Sequence, residues 1–212
     1  PLGITESLFS MEGTTAPIKE ISKLCIEYDS KLLIDEAHAF GVMGSAGRGE
    51  SFELKEPISI ISGTFGKAFG SGGAFLATDK ITGKNLIQNC GAFRYTTALA
   101  PPLCASALAA LNLIESNPNW GSELKEKSKA LRDRLSQVGW QRPAGEGPII
   151  SIILGSDRLA MDYQKRLEAQ GLLTVAIRPP TVPEGKSRLR LVIRRNTPDQ
   201  AFERLIEILK NK

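Results

Sequence analysis

In the stretch SGTFGKAFGSGGAFLA, residues 62–77, Lys67 is the one long cation among small and apolar residues. Phe65, Gly66, Ala68, Phe69 and Gly70 flank it. A surface lysine normally sits among polar groups that share its hydration. The glycines at 63, 66, 70, 72 and 73 permit tight turns and let another molecule come close to the backbone, where the amine is placed to meet it. A lysine in partly apolar surroundings has a lowered pKa, and as the free amine it attacks a carbonyl carbon to form a Schiff base.

A second group of reactive residue types lies upstream in LLIDEAHAFGV. Asp35 closes a short apolar run, and His38, the only histidine, follows three residues later. Alone, Asp35 reads as a cap on the next turn and His38 as a hydrogen-bonded structural residue. Taken with the Thr64-x-x-Lys67 loop after the next apolar run, they suit pyridoxal phosphate. Its ring nitrogen needs a carboxylate to stay protonated, its phenolic oxygen needs a donor, and its aldehyde needs a lysine.

These residues must be carried by strands and helices, and the hydrophobic pattern supplies them. Residues 17–29 predict a helix with Ile18, Ile21, Leu24, Cys25 and Tyr28 on one face and Pro17 in its first turn. Short strands are expected at 31–35, 58–62 and 72–78. Strands alternating with helices and ending in polar residues indicate an α/β sheet, and ligands bind such sheets beyond the carboxyl ends of the strands. Helices follow at about 101–116 and 122–138, the second with Leu124, Leu131, Leu135 and Val138 on one stripe. Next come a strand at 148–154, a helix at 157–170 stopped by Gly171, strands at 172–177 and 188–194, and a helix at 198–210. Thr197 and Pro198 suit the cap and first turn of that last helix. Residues 1–95 therefore read as part of a large sheet domain, and 96–212 as a connecting helix plus a smaller α/β domain.

Composition narrows the function classes. With 42% hydrophobic and 24% charged residues, the 212-residue chain can bury a proper core. The net charge of +4 is modest, and the one basic cluster, SRLRLVIRR (187–195), alternates with apolar residues as a strand does, so it is no nucleic-acid tail. Residues 95–114 carry no charge, but Pro101, Pro102 and a largely alanine content favour a buried helix over a membrane span. Three cysteines without a CxxC pair fit reduced thiols in a cytoplasmic protein. No metal-ligand cluster is expected.

DEAHAFGVMGSAGRG and SGTFGKAFGSGGAFL resemble the signature of the α-oxoamine synthases, a family of fold-type I pyridoxal-phosphate enzymes. ESLFSMEG (6–13) is similar to the family's segment ahead of the cofactor aspartate. The resemblance covers essentially the whole chain. It implies a partial large domain with a mostly parallel sheet, followed by a small α/β domain. It also implies decarboxylative condensation of an amino acid with an acyl thioester. By matching position it makes Lys67 the Schiff-base lysine and later the general base, and pairs Asp35 with the pyridinium nitrogen. His38 and Ser10 reach the phenolic oxygen, and Thr64 the phosphate. Thr96 or Thr97 approaches the phosphate of a neighbouring subunit, since the family builds its sites at a homodimer interface. Thr181 and Arg190 match positions that contact substrate or product, Arg190 holding a carboxylate. Bland alternatives stand beside these: turn residues for Ser10 and Thr64, strand or cap residues for Thr96 and Thr97, a solvated strand face for Arg190. Glu6 and Glu36 read as structural.

AIRPPTVPEGKSRLRL (176–191) is similar to the biotin-pathway branch of the family, which implies L-alanine and a pimeloyl thioester of coenzyme A or acyl carrier protein. Three alternatives remain open: a glycine C-acetyltransferase or aminolevulinate synthase type, an aminotransferase with its substrate arginine elsewhere, or a non-catalytic dimerising fragment. The family's glycine-rich phosphate loop and its ring-stacking residue lie in an N-terminal portion expected to precede this chain.

Overall fold

The computed structural model describes residues 1–210. It is a mixed α/β structure whose contacts divide it into two units. The first comprises Pro1–Phe9 and Thr15–Ser122, the second Ser10–Thr14 and the chain from Glu123 onward. The division falls at 122/123, whereas the sequence reading put it at 95/96, and the difference has a packing cause. The helix expected to connect the domains accepts a hydrogen bond from Ser71 Oγ at its Leu103 carbonyl, 2.7 Å away, and lines one cavity with Phe40, Phe65, Phe69 and Phe75, so it belongs to the first unit.

The first unit holds four strands in spatial order β1 (Leu2–Glu6), β2 (Lys31–Asp35), β3 (Ile60–Thr64) and β4 (Ala74–Thr78). β1, β2 and β3 run parallel and β4 antiparallel. The register pairs Glu6 with Asp35, Asp35 with Ser62, and Thr64 with Ala74, so the carboxyl ends of the parallel strands line up along one edge. Helix α1 (Ile18–Glu27) packs on this sheet through Ile18, with Ile21 and Cys25 against buried Leu32 and Ile34. Its buried stripe runs through Ile18 and Ser22, and Leu24 and Tyr28, expected on that face, are exposed.

Helices α2 (Lys80–Asn89) and α3 (Gly91–Arg94) follow β4. Asp79 caps α2, its Oδ1 accepting from the Ile81 and Thr82 amides and its Oδ2 from the Thr82 hydroxyl. Those bonds, the Thr82 side-chain bond foremost, hold the Asp79 carboxyl below its ordinary value. Helix α4 (Pro101–Ser116) starts at its prolines as expected but is not a buried helix: Ala107 is its one buried residue, and Leu103, Leu108, Leu111 and Leu113 are exposed. Among the described residues no helix is long and apolar enough to cross a membrane.

In the second unit, helix α5 (Trp120–Gln137, shared at its first turn with the first unit) buries Leu124, Leu131 and Leu135. An antiparallel sheet of order β5 (Ile149–Gly155), β7 (Ser187–Val192), β6 (Val175–Ile177) accompanies it. Helices α6 (Asp157–Glu168) and α7 (Asp199–Lys210) bury Tyr163, Leu167, Phe202, Leu205 and Leu209. Thr197 does not cap α7 as expected; its Oγ1 accepts from the Arg194 amide at 3.1 Å.

Candidate active site

Asp35 stands at the end of β2, half-buried, with both carboxylate oxygens placed. Oδ1 accepts from the Ala37 amide at 2.7 Å, the local turn that the aspartate alone suggested. Oδ2 accepts from the Ser62 hydroxyl at 3.3 Å, and Ser62 is its register partner on β3. A carboxylate offers about four lone-pair sites, so capping the turn leaves capacity for another N–H. Turn cap and binding group are compatible roles here.

His38 lies in the coiled turn after Asp35, where the Glu36 carbonyl accepts from the amides of Ala39 and Phe40. The base of this turn is fixed by Glu36, whose side chain is fully buried. Its carboxylate accepts from Ser7 Oγ at 2.6 Å, the Ser51 amide at 2.7 Å and the Glu50 amide at 3.2 Å. Gly49, at φ +90°, has no room for a side chain, since a Cβ would lie 2.9 Å from the Glu36 carboxyl carbon. The structural reading of Glu36 thus becomes specific: it anchors the segment that carries Asp35 and His38. The signal in the sequence was its place beside Asp35, with GRGES downstream.

Lys67 sits in the loop from β3 to β4, at the same edge of the sheet. Phe65 and Gly73 close the loop through the Phe65 amide and Gly73 carbonyl at 2.9 Å. The Gly70 amide turns back onto the Lys67 carbonyl at 3.0 Å. Lys67 is exposed, whereas its aromatic neighbours pack away into a cluster. Phe65 meets Phe69 edge-on at 5.4 Å and Phe75 at 5.3 Å, and Phe40 meets Phe75 at 5.6 Å. The expected apolar surroundings therefore support the loop rather than enclose the amine. Two of the glycines serve this packing. A Cβ on Gly63 would lie 2.5 Å from the Phe75 ring, and one on Gly73, at φ +96°, 2.4 Å from Leu99. At Gly66 the nearest atoms to such a Cβ are Thr64 Oγ1 at 3.4 Å and Ser71 O at 3.9 Å. Thr64 Oγ1 donates to the Gly73 carbonyl at 3.0 Å and accepts from the Gly66 amide at 3.1 Å, so its proton is engaged within the loop. Thr96 and Thr97 lie in the exposed segment between α3 and α4.

The remaining sequence candidates lie in the second unit. Arg190, half-buried on β7, donates through Nε to the Ser10 carbonyl at 2.7 Å. Its face is covered, contrary to the solvated strand face weighed for it, and burial lowers its pKa. Thr181 is exposed in the loop before β7, its amide bonded to the Arg178 carbonyl at 3.0 Å. Ser10 and Arg190 are thus joined. Arg188, which no sequence motif singled out, is 5% exposed and pairs with Glu12 at 2.6 Å. The R-x-R spacing on a strand was the signal, because residues two apart share a face.

A strand-end carboxylate, an imidazole in the next turn and a loop lysine along one sheet edge form a set that many folds do not share. Residues 4–209 match the class I and II aminotransferases. The chain belongs to that family. Aminotransferase-family relatives include an 8-amino-7-oxononanoate synthase of Lysinibacillus sphaericus, 36% identical over 209 residues, covering 98% of this chain and 54% of the relative. A putative 8-amino-7-oxononanoate synthase of Acetivibrio thermocellus is 41% identical over 210 residues, covering 98% and 53%. Among solved structures, an SPT with pyridoxal phosphate matches with TM-score 0.91 at 25% identity, over 99% of this chain and 54% of that one. The 8-amino-7-oxononanoate synthase of Francisella tularensis matches with TM-score 0.85 at 28% identity, over 98% and 61%. The chain thus spans about half the length of the curated relatives it matches. Pyridoxal 5'-phosphate is the cofactor, and the residues present fit it. Asp35 keeps acceptor capacity for a ring N–H, and Lys67 stands exposed in a loop whose backbone is open at Gly70, where an added Cβ would meet nothing within 4 Å.

Proposed function

We propose that the chain is part of an enzyme that condenses L-alanine with a pimeloyl thioester of coenzyme A or acyl carrier protein. The products are 8-amino-7-oxononanoate, carbon dioxide and the free thiol carrier. The observation that carries the reading is the alignment of Asp35, His38 and Lys67 at the carboxyl edge of the parallel strands. The relatives' names support the product, and the resemblance of AIRPPTVPEGKSRLRL supports the substrates.

Bound there, pyridoxal phosphate supplies an electron sink for the alanine α-carbon. Lys67 Nζ would hold the cofactor through its aldehyde, and as a free amine it would take the alanine α-proton. The Asp35 carboxylate would hold the proton on the ring nitrogen. His38 and Ser10 direct hydrogen bonds to the phenolic oxygen. Thr64 reaches the phosphate by turning its hydroxyl from the Gly73 carbonyl, and Thr96 or Thr97 serves the phosphate of the second subunit in a homodimer. The alanine α-carbon bonds to the thioester carbonyl carbon as the carbon–sulfur bond breaks, and the departing thiolate takes up the proton that Lys67 removed. The alanine carboxylate leaves as carbon dioxide, and a proton from solvent replaces it on the α-carbon. Thr181 and Arg190 line the acyl side, where the Arg190 guanidinium suits the distal carboxylate.

Borohydride reduction of the intact, cofactor-loaded protein tests the anchor. A reduced cofactor adduct on the peptide containing Lys67 is expected by mass spectrometry, and Lys67→Ala should lose both the adduct and turnover. Normal turnover in that variant would overturn the assignment.

A further inference from the structure

Glu36 directly follows β2, fully buried, and its side chain and main chain together reach four neighbouring segments of the first unit. The Ser7 hydroxyl, just past β1, donates to Oε2, and the amides of Glu50 and Ser51 donate to Oε2 and Oε1. The Glu36 amide donates to the Ser62 carbonyl on β3 at 2.8 Å, and its carbonyl accepts from the Ala39 and Phe40 amides at 2.9 Å each. The proposed partners of the cofactor ring stand on either side. Asp35 precedes it, with the Ser7 amide on its carbonyl at 2.9 Å, and His38 lies inside the turn that the Glu36 carbonyl closes.

Residues 41–51 are shaped to deliver the two amides. The Gly41 amide bonds to the Gly47 carbonyl at 2.8 Å and the Gly49 amide to the Met43 carbonyl at 2.9 Å, so the segment closes on itself. A Cβ on Gly44, at φ +72°, would lie 2.0 Å from the Gly49 oxygen. A buried carboxylate is unfavourable unless donors meet it, and here three do. A glutamine could not replace it. With one oxygen and one NH2, it would set a donor against the Glu50 or the Ser51 amide in either orientation.

We propose that Glu36 is a positioning residue for pyridoxal phosphate. By pinning the base of the turn it sets Asp35 and His38 in place before the cofactor arrives, so that binding need not order them. The cofactor part rests on the roles given to Asp35 and His38; the pinning of the turn does not. The Lys67 loop has its own closure between Phe65 and Gly73, so Glu36 governs how firmly the ring is held and not whether Lys67 reacts.

The test uses the intact protein at saturating pyridoxal phosphate, with its Glu36→Gln, Ser7→Ala and Asp35→Asn variants. Hydrogen exchange read by peptide mass spectrometry reports the pinning. In Glu36→Gln, peptides holding Ala39, Phe40, Glu50 and Ser51 should exchange roughly tenfold faster, while those of the β3–β4 ladder stay within about twofold. Release of the cofactor on dilution should be about tenfold faster, and borohydride should still fix it to Lys67. Ser7→Ala removes one donor and leaves the backbone intact, so it should show the same changes at about threefold, and it decides alone should Glu36→Gln not fold. Unchanged exchange at the turn overturns the pinning. Acceleration that extends to the β3–β4 ladder, or loss of the Lys67 adduct, overturns a local role. Faster exchange at the turn with unchanged release, where Asp35→Asn does speed release, overturns the positioning. Release unchanged in Asp35→Asn as well contradicts the cofactor role of Asp35, and the exchange then still decides the pinning.

Discussion

Asp35 combines a local role with the chemical role proposed for it. Its Oδ1 caps the turn at Ala37, and its Oδ2 points across to Ser62. Asp35→Asn keeps an oxygen for the Ala37 amide but removes the charge that holds a pyridinium proton. Washout of the alanine α-hydrogen into deuterated water should then slow by about a hundredfold, roughly 3 kcal/mol of transition-state stabilisation. Washout at the parent rate would leave Asp35 as a turn cap alone. The types and spacing of Asp35, His38 and Lys67 were legible in the sequence because chemistry demands those types. Their supports were less so. Glu36 gains its meaning from Ser7 and the 49–51 turn, far off in the chain, and Arg190 gains its partner from a segment 180 residues away.

At the scale of elements, apolar periodicity marked β2, α4, α5, β5 and α6 to within a few residues, since each carries a continuous apolar run or stripe. β1 and α2 escaped notice for a physical reason. LGITE exposes Leu2 and Ile4, and α2 buries no residue at all, so neither shows a strong amphipathic signal. Helix α5 carries one support that no periodicity reveals. Arg132, fully buried on it, donates to the carbonyls of Ala144, Gly147 and Ile149 at 3.2, 2.8 and 2.7 Å. Burial pushes its pKa down to about 10, so it remains cationic at neutral pH. Arg132→Met should destabilise the fold by roughly 2–4 kcal/mol, because those carbonyls lose their donor. A base whose pKa is lowered on folding carries its desolvation penalty while charged, and that penalty lifts only as pH climbs through about 10. The parent–variant difference in denaturant melts should therefore be the same at about pH 6 and about pH 8. A difference that changes across that interval would contradict a constant charge on Arg132.

On the scale of the whole molecule, the parallel-rich sheet and the antiparallel sheet belong to separate contact units, and the chain crosses from the first to the second twice. The brief excursion at Ser10–Thr14 was invisible in the sequence, since five residues within a longer segment carry no boundary signal. The central claim is that this chain contributes the lysine, carboxylate and arginine of an alanine–pimeloyl condensation. The most direct measurement supplies the intact, cofactor-loaded enzyme with L-alanine or glycine and with pimeloyl, succinyl or acetyl thioesters in parallel, following thiol release and product mass. Alanine with pimeloyl thioester should give the highest kcat/KM, with 8-amino-7-oxononanoate and carbon dioxide formed one for one with thiol. Faster turnover of glycine with a short acyl thioester would contradict the account.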